Sequence, residues 1–205
     1  MVKLEREYNA REFVISDDEE RRMLDAADRD VTTHIGLFIR LGLATGLRHS
    51  EILAARFDNF DQARRRLRVH TKGGRWRNQP LTRGVTKLLN HEREMAADPN
   101  GWIFPSKRSE SGHTRSMHEA FTRCVVNAGL NPKVVVPHIM RHTAITRYAA
   151  TGADLKSIQE FGGHLSIQMV LRYAHASDRA IDNALDRMEG GTILEHPEVR
   201  TRDIS

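Results

Sequence analysis

The sequence predicts a mostly helical α+β domain built around one small three-stranded antiparallel sheet. Three observations carry that expectation. Most apolar residues recur at helical spacing between recognisable cap and stop signals. Three short runs rich in β-branched or aromatic residues cluster between residues 57 and 81. A length of 205 residues, 39% of them hydrophobic, suits one globular domain with a real core and is short for two.

The elements follow in chain order. Residues 1–15 read as a linker-like segment. Ser16-Asp17-Asp18-Glu19 has the form of a capping box, and its acids favour the positive end of a helix running to about Asp28. Residues 33–45 form a mostly apolar, buried helix that stops at Gly46, and a short helix starts near Ser50. Phe57–Asp61, Leu67–Thr71 and Arg75–Leu81 are the strands, with turn signals at Asp58-Asn59 and Gly73-Gly74. Helices are then predicted over Thr82–Ala97 and His113–Ala128, separated by an extended piece at Trp102–Phe104. Pro137 opens the next helix, as proline does in a first turn, and it runs to about Ala150. Asp154 and Ser166 cap two further helices, ending near Phe161 and His175. Asp178–Met188 is the last, and residues 190–205 form a tail without periodicity, disordered or docked on a neighbour. The domain is therefore placed at residues 16–189.

Composition excludes several classes. No apolar run reaches the ~18–20 residues of a membrane span, so no membrane partner is expected. Met1–Lys3 leads straight into Glu5-Arg6-Glu7, without the apolar segment of a signal peptide. Cys124 is the single cysteine, which rules out an internal disulfide or a cysteine-based zinc cage and makes a reducing, cytoplasmic setting the default.

The net charge of +5 is unevenly spread. Between Gln62 and His91 there is no acid but nine cations: Arg64, Arg65, Arg66, Arg68, Lys72, Arg75, Arg77, Arg83 and Lys87. The rest of the chain holds 23 cations against 27 anions and is net acidic. Such a stripe suits a polyanion partner, or a solvated charged edge.

The helix opened by Pro137 carries the first chemical signal. His138, Arg141, His142, Ile145 and Ala149 fall within a sector of about 100°. Ile145 and Ala149 belong in the core, so Arg141 and two histidines beside them require compensation. An anion at the helix N-terminus would supply it, as would an internal Asp or Glu. Zinc fits poorly. His138 and His142 have the spacing of H-E-x-x-H, but Ile139 stands where the glutamate would, and Arg141 would sit beside the metal. No metal or other cofactor is expected. On the helix after Ser166, Tyr173 lies off the apolar stripe of Ile167, Val170, Leu171 and Ala174, so its hydroxyl has a direction other than the core.

Four motifs stand in order: A-T-G-L-R-H-S-E at 44–51, T-K-G-G-R at 71–75, H-I-M-R-H at 138–142 and G-G-H-L-S-I-Q-M-V-L-R-Y-A-H at 162–175. Together they closely resemble the catalytic domain of the tyrosine recombinases, the phage integrase family, over roughly Ser16 to Met188. The resemblance implies that fold, and an activity: site-specific DNA recombination, integration or excision, through a covalent 3′-phosphotyrosine without metal or ATP. It implies Arg48 and Arg141 as the clamp on the scissile phosphate, Lys72 as the acid for the departing 5′-oxygen, and Tyr173 as nucleophile. His138 takes the first histidine position, where it would accept the tyrosine's proton, and His164 the His/Trp position. Glu51 matches the acid that supports the first arginine, while His142 and His175 match supporting residues. Nearby cations would favour the phenolate.

Arg64, Arg65, Arg66, Arg68, Arg75 and Arg77 read as phosphate contacts on double-stranded DNA, and Arg115, with His118 and Arg123, as part of a groove-entry helix. The same resemblance implies a homotetramer on DNA, exchanging the helix Asp178–Met188, with the free chain expected as a monomer and a bacterial or phage origin. A type IB topoisomerase-like or resolvase-like enzyme, or a DNA-binding module without turnover, would share these motifs. The chain departs from the family's usual L-L-G-H with Phe161-Gly162-Gly163-His164, and it places Leu165 and Val170 where small polar residues and threonine are frequent. The helical core-binding domain that usually precedes the catalytic one does not appear, which implies a truncated chain, a fragment of a longer integrase, or a naturally short relative.

Overall fold

Ser16 and Glu19 close a reciprocal pair of hydrogen bonds at the start of α1 (Asp17–Ala27). Glu19 N donates to Ser16 Oγ at 3.3 Å, and Ser16 N donates to Glu19 Oε2 at 2.8 Å. Two orphan amides of the first turn are thereby satisfied. The computed structural model describes residues 13–71, 74–163 and 166–174. The expectations for Lys72, His164, His175, the helix Asp178–Met188 and both terminal segments lie outside the described residues.

After α1 comes α2 (Ile35–Thr45), almost wholly apolar and buried, which ends where Gly46 takes a left-handed φ of +62° that only glycine adopts without strain. A short helix, α3 (His49–Leu53), follows at once. The strands are β1 (Phe60–Asp61), β2 (Arg66–His70) and β3 (Trp76–Pro80), antiparallel in the order β1-β2-β3. In β2, Leu67 and Val69 point into the core while Arg66, Arg68 and His70 face solvent. The alternation is that of a sheet with one packed face and one open face.

The first strand is shorter than the sequence predicts. Phe57–Asn59 is a 3₁₀ turn, leaving only Phe60–Asp61 extended. Phe57 and Phe60 are both buried, and their spacing of three fits a tight helical turn rather than a strand's period of two. The Phe57 amide is drawn instead to Gly101 O at 2.9 Å.

The helices α4 (Arg83–Met95), α5 (His118–Asn127), α6 (Pro137–Ala149), α7 (Leu155–Phe161) and α8 (Ile167–Ala174) complete the described elements. The start of α5 falls at His118 rather than His113. Residues 113–114 are committed to an extended contact: His113 bridges Pro105, Thr114 N donates to Phe104 O at 2.8 Å, and the His113 ring stands edge-on to Trp102. Pro137 opens α6, and Asp154 caps α7 by accepting from Ser157 N at 2.9 Å.

Two hydrophobic clusters hold these elements. The larger joins α1 to α5 and the sheet around Phe38, Phe104 and Phe121, and takes in Ile139 and Met140 from the first half of α6. The smaller gathers Ala144, Ile145 and Ala149 from the second half of α6 with Ile158, Phe161 and Val170 of α7 and α8, and Tyr148 and Tyr173 pack against it. Helix α6 crosses α2 where Gly42 lies against Met140; a Cβ on Gly42 would stand 2.8 Å from the Met140 Sδ, so α6 depends on that glycine for its depth. Among the described residues no helix is long and apolar enough to cross a membrane.

Candidate active site

Helix α3 begins with a charged pair in place of a conventional cap. Glu51, buried at 3% exposure, accepts from the Arg48 backbone amide at 3.0 Å and from Arg48 Nη1 at 2.8 Å. A buried carboxylate normally resists ionisation. Burial is the largest influence on Glu51, yet the Arg48 amide and the charges of Arg77 and Arg48 outweigh it and hold its pKa below the usual value.

Arg77 reaches Glu51 from β3, Nη2 to Oε2 at 3.2 Å, with a side chain only 8% exposed. It also contacts Gln79 Oε1, and Gln79 in turn donates to Thr45 O at 2.9 Å. This corrects the expectation that Arg77 lies on the DNA-facing surface with its neighbours: its guanidinium is spent inside the protein. In the structure Arg77 pairs with Val69 across the hairpin and shares its inward face with Gln79.

Arg141 comes from the first half of α6 and is buried at 4% exposure. Its Nη1 donates to Gly46 O at 2.6 Å, and its Nη2 donates to Gly162 O. The compensation that the sequence requires is thus provided by two backbone carbonyls, one at each glycine turn, with the Glu51 charge close enough to favour the cation. Burial, then the neighbouring Arg48, lower its pKa to about 10, so it stays protonated at neutral pH.

One helical turn separates His138 from His142. His138 is solvent-accessible. Partial burial, followed by the charges of Arg141, Arg48 and His49, keeps its pKa below the ordinary histidine value. His142 is half-buried, and burial with the adjacent His138 moves it the same way. The Tyr173 hydroxyl, carried in by α8, lies 3.3 Å from His142 Nδ1, with ring centroids 5.4 Å apart. The described contact of the tyrosine is therefore with His142, whereas the sequence points to His138 for that place. Burial also pushes the Tyr173 phenol above its usual range, and the charges of Arg141 and Arg172 offset this only in part. Cations alone do not make it a phenolate in this arrangement.

Arg48, Glu51, His138, Arg141, His142 and Tyr173 are thus brought together by α3, α6 and α8. Beside His138 opens a cavity of about 270 Å³ whose wall includes Phe38, Met117 and Pro137 with the imidazoles of His49 and His118. Arg64, Arg65, Arg66, Arg68, Arg75 and Arg115 are exposed, apart from this cluster. Arg68 lies over the Trp76 ring at 4.7 Å, and Arg64 pairs with Asp61 at 3.0 Å. Among the described residues no set of three or more His, Cys, Asp or Glu is arranged to hold a metal.

Comparisons with known proteins agree with this layout. Residues 14–180 match the phage integrase family. The chain is 31% identical over 161 residues to tyrosine recombinase XerC of Chlamydia pneumoniae, covering 74% of this chain and 51% of the relative. It spans about half the length of the curated relatives it matches. In fold it resembles the catalytic domain of bacteriophage HP1 integrase, with TM-score 0.65 and 22% identity over 84% of this chain and 93% of that one. It also resembles the Tn1549 transposon integrase solved with circular intermediate DNA, with TM-score 0.67 and 22% identity over 86% and 67% of the two chains. On the family match over most of its length, and with Arg48, Glu51, His138, Arg141, His142 and Tyr173 gathered at one site, the chain belongs to the phage integrase family.

Proposed function

We propose that this chain carries the catalytic centre of a site-specific DNA recombinase that cuts and rejoins double-stranded DNA through Tyr173. The observation that supports it best is the seating of the Tyr173 hydroxyl at His142 Nδ1, within the field of Arg141. Family membership adds the expectation of strand exchange, and a relative in the same fold class was solved with circular intermediate DNA.

In this reading the scissile phosphate binds at Arg48 and Arg141. Planar guanidiniums stabilise the negative charge that spreads over the non-bridging oxygens during attack. The pKa of His142 is lowered, so it is neutral at pH 7 and able to accept the phenol's proton as the Tyr173 oxygen bonds to phosphorus. His138, also neutral and solvent-accessible, stands one turn away as the route by which that proton leaves. The P–O5′ bond breaks, the 5′-oxygen takes a proton from Lys72, and the 3′ end is left on Tyr173 as a phosphotyrosine diester. His164 donates a hydrogen bond to the phosphate, and His175 supports it. Attack by a different 5′-hydroxyl reverses the steps, so rejoining consumes no ATP.

The exposed Arg64, Arg65, Arg66, Arg68, Arg75 and Arg115 grip the duplex backbone. The working form is a homotetramer on DNA in the cytoplasm, and residues 16–189 are the unit that carries the chemistry.

The test is a pool of nicked duplexes, randomised around the nick, incubated with the protein and resolved under denaturing conditions. A covalent protein–DNA adduct that requires Tyr173 is the expected result, and its DNA yields the preferred site. DNA binding without any adduct across the pool would overturn the reading.

A further inference from the structure

Glu51 is one buried carboxylate shared by two arginines of opposite exposure. Its Oε1 receives Arg48 Nη1 at 2.8 Å, while its Oε2 receives the Arg48 amide at 3.0 Å and Arg77 Nη2 at 3.2 Å. The Arg48 side chain is 40% exposed and the Arg77 side chain 8%. An anion arriving from solvent therefore meets Arg48 and not Arg77.

We propose that Arg77 is a positioning residue whose charge neutralises Glu51, leaving the charge of Arg48 free for the anion. The inference rests on the reading of Arg48 as a phosphate ligand. A carboxylate paired with a single guanidinium makes a neutral pair, and a neutral pair attracts a phosphate weakly. A second, buried guanidinium changes that balance: the site retains the full cation of Arg48 while Glu51 still fixes its direction. Arg77 itself is tied to Glu51 and Gln79 through its two terminal nitrogens.

A second contact shows why the residue sits where it does. Gly163 has a φ of +66°, and a Cβ there would stand 2.7 Å from the Arg77 Cζ and 2.8 Å from its Nε. Arg141 Nη2 donates to the carbonyl of the preceding Gly162. The Gly162-Gly163 turn thus rests on two arginines, and Arg77 spans from that turn to Glu51. Its Nε is buried without a hydrogen-bond partner, which is unfavourable and is tolerated only in a side chain held by its other contacts.

The test compares the wild type with R77Q, E51Q and the double variant E51Q/R77Q. One readout is binding of inorganic phosphate, followed on the Arg48 and Arg141 guanidinium NMR signals; the other is adduct formation on the nicked duplex. R77Q is expected to weaken phosphate binding and adduct formation by about tenfold or more, the scale of one charge-assisted contact. The double variant, with carboxylate and compensating cation both gone, is expected to bind phosphate better than R77Q. A purely structural role would make the two losses add. Wild-type-like phosphate binding by R77Q, or additive losses in the double variant, would overturn the inference. If R77Q fails to fold, recovery of folding in E51Q/R77Q supports it, because no unpaired buried charge remains, and failure of both to fold overturns it. Phosphate binding that follows this pattern without any adduct from the wild type would sink the recombinase reading alone.

Discussion

Tyr173 and His142, 31 residues apart in sequence, meet where α8 packs on α6, hydroxyl to Nδ1 at 3.3 Å. The contact joins the group that would attack to a base whose pKa lies below the ordinary histidine value. A neutral imidazole in that place accepts a proton; a charged one repels it.

Tyr173→Phe should therefore abolish the covalent adduct on nicked duplexes while leaving affinity for the same DNA intact. Loss of one hydroxyl contact should lower stability by only about 0.5–1.5 kcal/mol, measurable in urea. An adduct that survives the change would assign the attack to another residue.

The histidines set a pH dependence. In the folded chain His138 and His142 both have pKa values below their reference of 6.5. Below that pH the unfolded chain binds more protons than the folded one, so stability falls as pH drops from 6.5 through the folded values, and is level above. Thermal midpoints from pH 8 to pH 5 should decline in the acid half. His142→Gln should flatten part of that decline, and a midpoint that rises with acid would contradict the assignment.

Gly46 serves two ends. Its φ of +62° closes α2, and its carbonyl receives Arg141 at 2.6 Å. Gly46→Ala should cost about 1–2 kcal/mol from the left-handed backbone alone. The added Cβ would also lie 3.3 Å from the Phe161 ring, so the turn should shift, taking the Arg141 acceptor with it. Adduct formation is expected to fall much more than stability does.

Ser16→Ala offers the opposite profile. Removing the cap of α1 should lower stability by about 1 kcal/mol. Cleavage should be unaltered, since the serine's hydroxyl bonds are to Glu19. A loss of activity larger than the loss of folded protein would show that α1 reaches the site.

The exposed arginines of β2 can be separated from Arg77 by comparing salt dependence with cleavage rate. Replacing Arg66 or Arg68 with alanine should reduce the slope of log affinity against log salt by about one unit each, as for a lost phosphate contact. Replacing Arg77 should lower the cleavage rate far more than replacing either of them does.

Local signals in the sequence are legible where they act within one turn of the chain. The Ser16–Glu19 box, the stop at Gly46, the proline at the head of α6 and the Asp154 cap are of this kind, and each stands where expected. The first strand is short because Phe57 and Phe60 are spaced for a tight turn, which residue type alone does not reveal. Charge alone groups Arg77 with its neighbours, whereas its register opposite Val69 turns it inward. The partnership of Tyr173 with His142 depends on how α8 packs on α6, and no spacing within either helix encodes that.

The division of the hydrophobic residues into two clusters couples Tyr173 to the buried arginine of α6. Tyr173 packs on the smaller cluster, while Leu47 and Ile52, beside Arg48 and Glu51, belong to the larger. Arg141 bridges the two, donating to Gly46 O through Nη1 and to Gly162 O through Nη2. A substitution that loosens Ile158 or Val170 should therefore disturb Arg141, distant from both in sequence, as well as Tyr173.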